Sequence, residues 1–220
     1  KRCSTVKLMK KTILVISLIF ASQNLFAVEP HVQVKRFLET LNNEQEKDEA
    51  RWTSLFGLAK LTGKQSLTII KKYFTHSNWM LRDAALKVTA ALEAHELAPE
   101  VEKRLKDDAL VIRTTAVDTI GHLNLRQYAP QLVEALFDPI NYNAGKALWI
   151  HKHILHVLRE FRFEEAVPRL VELLEKSSDG KLRNQVVNTL ENLTGKSFPN
   201  APMAQQIYLW KRNSLAEKTF

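Results

Sequence analysis

Histidines are the first residues in this chain to suggest chemistry. His151, His153 and His156 stand close together in the sequence, and imidazole is the commonest metal ligand. On a helix His153 and His156, three apart, face the same way, whereas His151 points about 160° from His153. Three ligands cannot converge from one helix. A metal site would need His122 from an adjacent helix, and a carboxylate as well. No acid stands beside these histidines in sequence, and Glu160 is a turn further on. The set His122, His153 and His156 is therefore a metal- or pH-responsive alternative, with structural or surface histidines the preferred reading.

Covalent chemistry has little to work with. There is no Gly-x-Ser-x-Gly elbow, no His-Glu-x-x-His and no dinucleotide glycine pattern. Thr62-Gly63-Lys64 and Thr194-Gly195-Lys196 lack the upstream glycines of a phosphate loop. The single cysteine, Cys3, can close no intramolecular disulfide and supply no Cys-rich zinc site. The expectation is a protein that is not an enzyme and carries no cofactor.

The first segment reads as an address. Lys10 and Lys11 precede an apolar run at 13–21, broken only by Ser17, and Ala27 offers a small residue before Val28. That order is a secretory signal peptide, and its apolar run is shorter than the about 20 residues that span a bilayer. Initiation is expected at Met9, cleavage near Ala27, and a periplasmic or secreted domain over 28–220. The first 27 residues hold five cations and no acid, so only +3 of the formal +8 belongs to the mature part. That balance argues against a nucleic-acid partner, and no membrane span is expected in the mature chain.

The elements that must position these residues come from self-similarity. Residues 109–136 lie over 147–174 without a gap, and shifts of 31 or 32 reach further copies. The anchor column is Arg51, Arg82, Arg113, His151 and Arg183. Apolar residues recur one before it and three, four, seven and ten after it, which is one stripe of a helix. A second stripe runs through Ile70/Val101/Leu132/Leu170 and Phe74/Leu105/Leu136/Leu174, with Pro99, Pro130 and Pro168 in the first turn, where a missing N–H costs least. Gly and Pro total only 13 of 220, which favours long helices over many short strands. No pair buries its stripe alone, so neighbours stack. The predicted fold is all-α, an α-solenoid of about five helix pairs. A C-terminal capping helix over 201–215 is expected to carry Tyr208, Leu209 and Trp210 on its apolar side.

A proline-led outer helix, an Asp before the turn, and the opening Ile112-Arg113-x-x-Ala116 or Leu81-Arg82-x-x-Ala85 resemble HEAT repeats of the short bacterial, PBS-lyase-like type. The resemblance covers about 31–194; the fourth copy departs with His151 and Ile154. It implies that the Arg column is structural, with Asp107 placed to receive Arg113. It also implies that inner helices line a concave binding face. Relatives of this type include bilin lyases and alkylpurine DNA glycosylases, but the mature part has no thiol, and an exported chain is an unsuitable glycosylase.

Non-core columns of the inner helices are then the candidate contacts for a protein or peptide partner. One after the anchor they are Trp52, Asp83, Thr114, Lys152 and Asn184; five after it they are Phe56, Lys87, Asp118, His156 and Asn188. The two columns share a face. Trp52 and Phe56 stand out as aromatic anchors. A seven-residue insertion before the fourth inner helix puts Tyr142 at the tip of a loop. A small-ligand or cell-wall-fragment binder near 138–143, in a pocket lined by Tyr142 and Trp149, is the remaining alternative.

Overall fold

The computed structural model describes residues 29–216; the expected leader, 1–27, lies outside them. Outer helices α1 (Pro30–Asn42), α3 (Leu67–Tyr73), α5 (Ala98–Lys103), α7 (Ala129–Ala135) and α9 (Val167–Lys176) alternate with longer inner helices. These are α2 (Asp48–Thr62), α4 (Trp79–Ala91), α6 (Leu110–His122), α8 (Ile150–Glu160) and α10 (Gly180–Thr194), followed by the cap α11 (Met203–Ala216). The all-α solenoid of five helix pairs and a cap is therefore the observed architecture among the described residues.

Both stripes close into one core. Leu81, Ile112, Ile150 and Leu182 are buried one before the anchor, as are Ile70, Val101, Leu132 and Leu170 opposite them. Leu61, at the end of α2, is the exception and stays exposed. Pro99, Pro130 and Pro168 sit in the first turn of α5, α7 and α9. Glu93, Asn124 and Arg162, each eleven after its anchor, take positive φ where the chain leaves an inner helix. Only the first and last inner helices use glycine there, Gly63 and Gly195.

Each inner helix packs on the next, from α2 through α10. The α6–α8 approach depends on Gly121, where an added Cβ would stand 2.8 Å from Val157 Cγ2. Gly121→Ala should cost about 1–3 kcal/mol by overpacking, with part of the loss returned by Val157→Ala in the same chain. Urea unfolding of the single and double variants measures this, and a neutral Gly121→Ala would show that the seam is loose.

The insertion before α8 is ordered. Strands β1 (Tyr142–Asn143) and β2 (Lys146–Ala147) pair antiparallel, and the turn residues Ala144 and Gly145 both have positive φ, as a tight hairpin turn requires. At the other end Trp210 of α11 is buried, with Phe198 edge-on at 5.0 Å. Tyr208 does not share that side and is 62% exposed, because residues two apart on a helix point about 200° apart.

Candidate functional site

The Arg column builds a ladder, not a groove. Arg82 donates from Nε and Nη2 to the two oxygens of Asp107 at 2.9 and 2.7 Å, and from Nη1 to the carbonyls of His76 and Ser77. Arg113 repeats this one unit on. Its Nη1 donates to the carbonyls of Asp107 and Asp108, its Nε to Asn141 Oδ1 at 2.8 Å and its Nη2 to the Ile140 carbonyl. Arg82 and Arg113 thus each take backbone carbonyls of the turn before their own helix and a side chain of the next turn. The expected Asp107–Arg113 carboxylate pair is corrected accordingly. Asp107 reaches back to Arg82, since Arg113 already caps the carbonyls at 107 and 108.

His151 stands at the same rung in place of an arginine. Its Nδ1 lies 3.1 Å from the Leu148 carbonyl and its Nε2 3.2 Å from that of Leu136. Burial lowers its pKa below the ordinary imidazole value, against the opposing pull of those carbonyls and Asp179. Tyr142 packs edge-on to it at 4.6 Å and donates its hydroxyl to the Leu136 carbonyl at 2.6 Å. The expectation of Tyr142 as a tip contact is corrected: it is half-buried and fastens the hairpin, and Ala144-Gly145 form the tip.

The inner-face columns divide. Trp52 and Phe56 lie ring to ring at 4.3 Å, half-buried against the core. Asp83 is buried, accepting from Thr115 Oγ1 at 2.8 Å and pairing with Lys87 Nζ at 2.7 Å. Thr114 is buried too, accepting from Trp149 Nε1 at 3.1 Å. Both are therefore corrected as free contacts, because a side chain from the next unit closes over each. Lys87, Asp118, Lys152, His156, Asn184 and Asn188 remain exposed.

The histidine set does not converge. His153 Nδ1 meets Asp118 Oδ1 at 2.7 Å, linking α6 to α8, while His156 Nε2 lies 3.3 Å from Glu160. His122 is exposed and joins neither, and among the described residues no group of three or more His, Cys, Asp or Glu side chains gathers as a metal site would. The acid missing from the sequence neighbourhood comes from the previous inner helix. The His153–Asp118 arrangement, a carboxylate orienting an imidazole, is suited to moving a proton at a bound group.

Three residues were not among the candidate columns as surface anchors: Trp79, Val111 and Trp149, which are 47%, 37% and 58% exposed. They stand two or three positions before the anchors, in or just before the first turn of α4, α6 and α8. Val111 and Trp149 share the column two before the anchor and Trp79 stands one residue earlier in its unit, and these large apolar side chains ahead of the anchors were the signal available. Beside Trp149 a cavity of about 130 Å³ is lined by Lys152, Asp179, Lys181 and Gln185. It is smaller than the about 300 Å³ where small-molecule sites begin, and Tyr142 does not line it. A wider cleft of about 640 Å³ opens on the outer side between α5 and α7, over Leu105, Pro130 and Phe137.

No protein-family model matches the chain, and no curated protein matches it. Among solved structures it is similar to the complex of CpcE and CpcF of phycocyanin lyase from Nostoc sp. PCC7120, at a TM-score of 0.56 and 14% identity. The likeness covers 77% of this chain and 66% of the neighbour's, so it spans just under two thirds of that protein. It supports the HEAT-like helical solenoid. It also corrects the expectation that the chain is not an enzyme: the neighbour with this architecture is a lyase. Missing elbows, zinc helices and glycine loops exclude only the chemistries those motifs serve.

Proposed function

We propose that this chain is an exported helical-repeat protein that holds a protein or peptide partner against its inner helices. The observation that carries the reading is the row Trp79, Val111 and Trp149, large apolar side chains left in solvent on three successive inner units. Exposed aromatics on a rigid stack are suited to anchoring a partner. The solved neighbour is itself a complex of two proteins, in keeping with a partner here. Export rests on the basic start, apolar run and small residue at 10–27. A second reading has specific support in the His153–Asp118 pair: the held partner undergoes proton-transfer chemistry on this face.

Affinity capture from an envelope extract tests the first reading. Trp79→Ala/Trp149→Ala should lose the partner at unchanged helicity, because neither side chain is in the core. Trp52→Ala/Phe56→Ala should lose it only if those half-buried rings also touch the partner. A partner retained at full strength by all four substitutions together would sink the inner-face reading.

A further inference from the structure

Charge along the inner layer is unevenly balanced. In the preceding units the cation Lys87 is taken by Asp83, and Asp118 by His153. On the seam between α8 and α10 the pairing stops. Lys152 and Lys181 border the cavity beside Trp149, and Arg159 and Arg162 border a second opening further along, with His156 and Asn192. Among the described residues none of these four cations is engaged in an ion pair. Two acids share these openings, Asp179 with the lysines and Glu160 with the arginines, so four cations face two carboxylates and the seam is net positive. Asp179 accepts from the amides of Ala147, Lys181 and Leu182, and Glu160 lies against His156.

From this arrangement we infer that the α8–α10 seam binds an extended acidic peptide with an apolar residue seated on Trp149. The inference rests on the inner-face reading and specifies the partner's chemistry. Lys152 and Arg159 are seven residues apart on one helix, about 10 Å along its axis. A chain in the polyproline II form covers that distance in about three residues and, with three residues per turn, brings residue i+3 back to the face of residue i. The matching segment carries an apolar residue, an acidic residue for Lys152 and Lys181, and a second acidic residue three positions later for Arg159 and Arg162. Nucleic acid is the poorer fit. Duplex DNA carries a charge about every 1.7 Å, whereas here cations alternate with Asn184, Asn188, Asn192 and Glu160.

The test uses the full chain and a labelled peptide with one phenylalanine followed by two glutamates three apart. Its comparisons are the same peptide with lysines for glutamates, and a single-stranded oligonucleotide. Fluorescence anisotropy should show binding of the acidic peptide alone, weakening as salt rises. Lys152→Glu/Arg159→Glu should weaken it at least about tenfold and bring in the lysine peptide, with the circular dichroism unchanged. Equal affinity for both peptides, tighter binding of the oligonucleotide, or indifference to the charge reversal would each overturn the inference. If the acidic peptide fails while Trp79→Ala/Trp149→Ala still abolishes partner capture, the inner-face reading stands and only the acidic-peptide inference falls.

Discussion

Asp107→Ala should lose about 3–5 kcal/mol of folding stability, the range for removing one partner of a buried charge pair. Asp107 accepts from Arg82 twice, from Arg104 Nη1 at 3.1 Å and from the Ala109 amide at 3.1 Å. Without it the Arg82 guanidinium keeps only two backbone carbonyls, and the opening of α6 loses an acceptor. Asp107→Asn, which retains an acceptor without the charge, should cost less. The pH profile separates the two effects. Burial alone would raise the Asp107 pKa, but the Arg82 hydrogen bonds, the Ala109 amide and the charges of Arg82 and Arg104 outweigh it and hold the carboxyl below its ordinary value. The folded pKa lies below the unfolded one, so this stabilisation is complete above about pH 4 and disappears as pH falls through the folded value. Urea midpoints at pH 7 and pH 3 should converge for wild type and Asp107→Asn at the acid end. A difference as large at pH 3 as at pH 7 would remove the carboxylate from the explanation.

Arg113→Met is the second large effect, about 3 kcal/mol or more. The side chain is 2% exposed and serves four acceptors: three carbonyls and the Asn141 amide oxygen. None of these is a carboxylate, so the rung differs in kind from Arg82–Asp107. Burial lowers the guanidinium pKa, and the more distant Asp138, Asp107 and Asp108 oppose that shift. Methionine fills much of the volume but strands every acceptor, and each buried unsatisfied group costs about 1–3 kcal/mol. Arg113→Lys cannot fork between two turns and should recover little. Two of the four bonds end in the segment leading into the hairpin. Amide exchange at Ala147 and Leu148 should therefore rise in Arg113→Met well before the chain unfolds. Unchanged exchange there would mean that the Tyr142 and Asp179 contacts hold the hairpin without Arg113.

The helix pairs were legible because helical spacing of apolar residues is a local property, and five copies of it reinforce one another. Ile70, Val101, Leu132 and Leu170 could be named as core from their column alone. Turn conformations were legible only at Gly63 and Gly195. Glu93, Asn124 and Arg162 also take positive φ, without glycine, where their helices end. The expectation of no enzyme rested on missing motifs, which exclude only the chemistries those motifs serve, and the lyase neighbour corrects it.

Contacts between units needed the tertiary structure. Local periodicity says which face a residue is on, but not which neighbour lies opposite. Asp83 and Thr114 share a column with exposed Lys152, yet Thr115 and Trp149 of following units cover them. His153 finds Asp118, thirty-five positions away, and Asp107 turns to the Arg behind it. The helices, their stacking and the apolar core could be read along the chain, since each follows from 3.6-residue periodicity and the burial it demands. Which polar groups on the inner layer are spent on the next repeat, and which remain for a partner, is settled by contacts between units. That outcome depends on the rotation of one helix against the next, set by close packing at residues such as Gly121 and Val157.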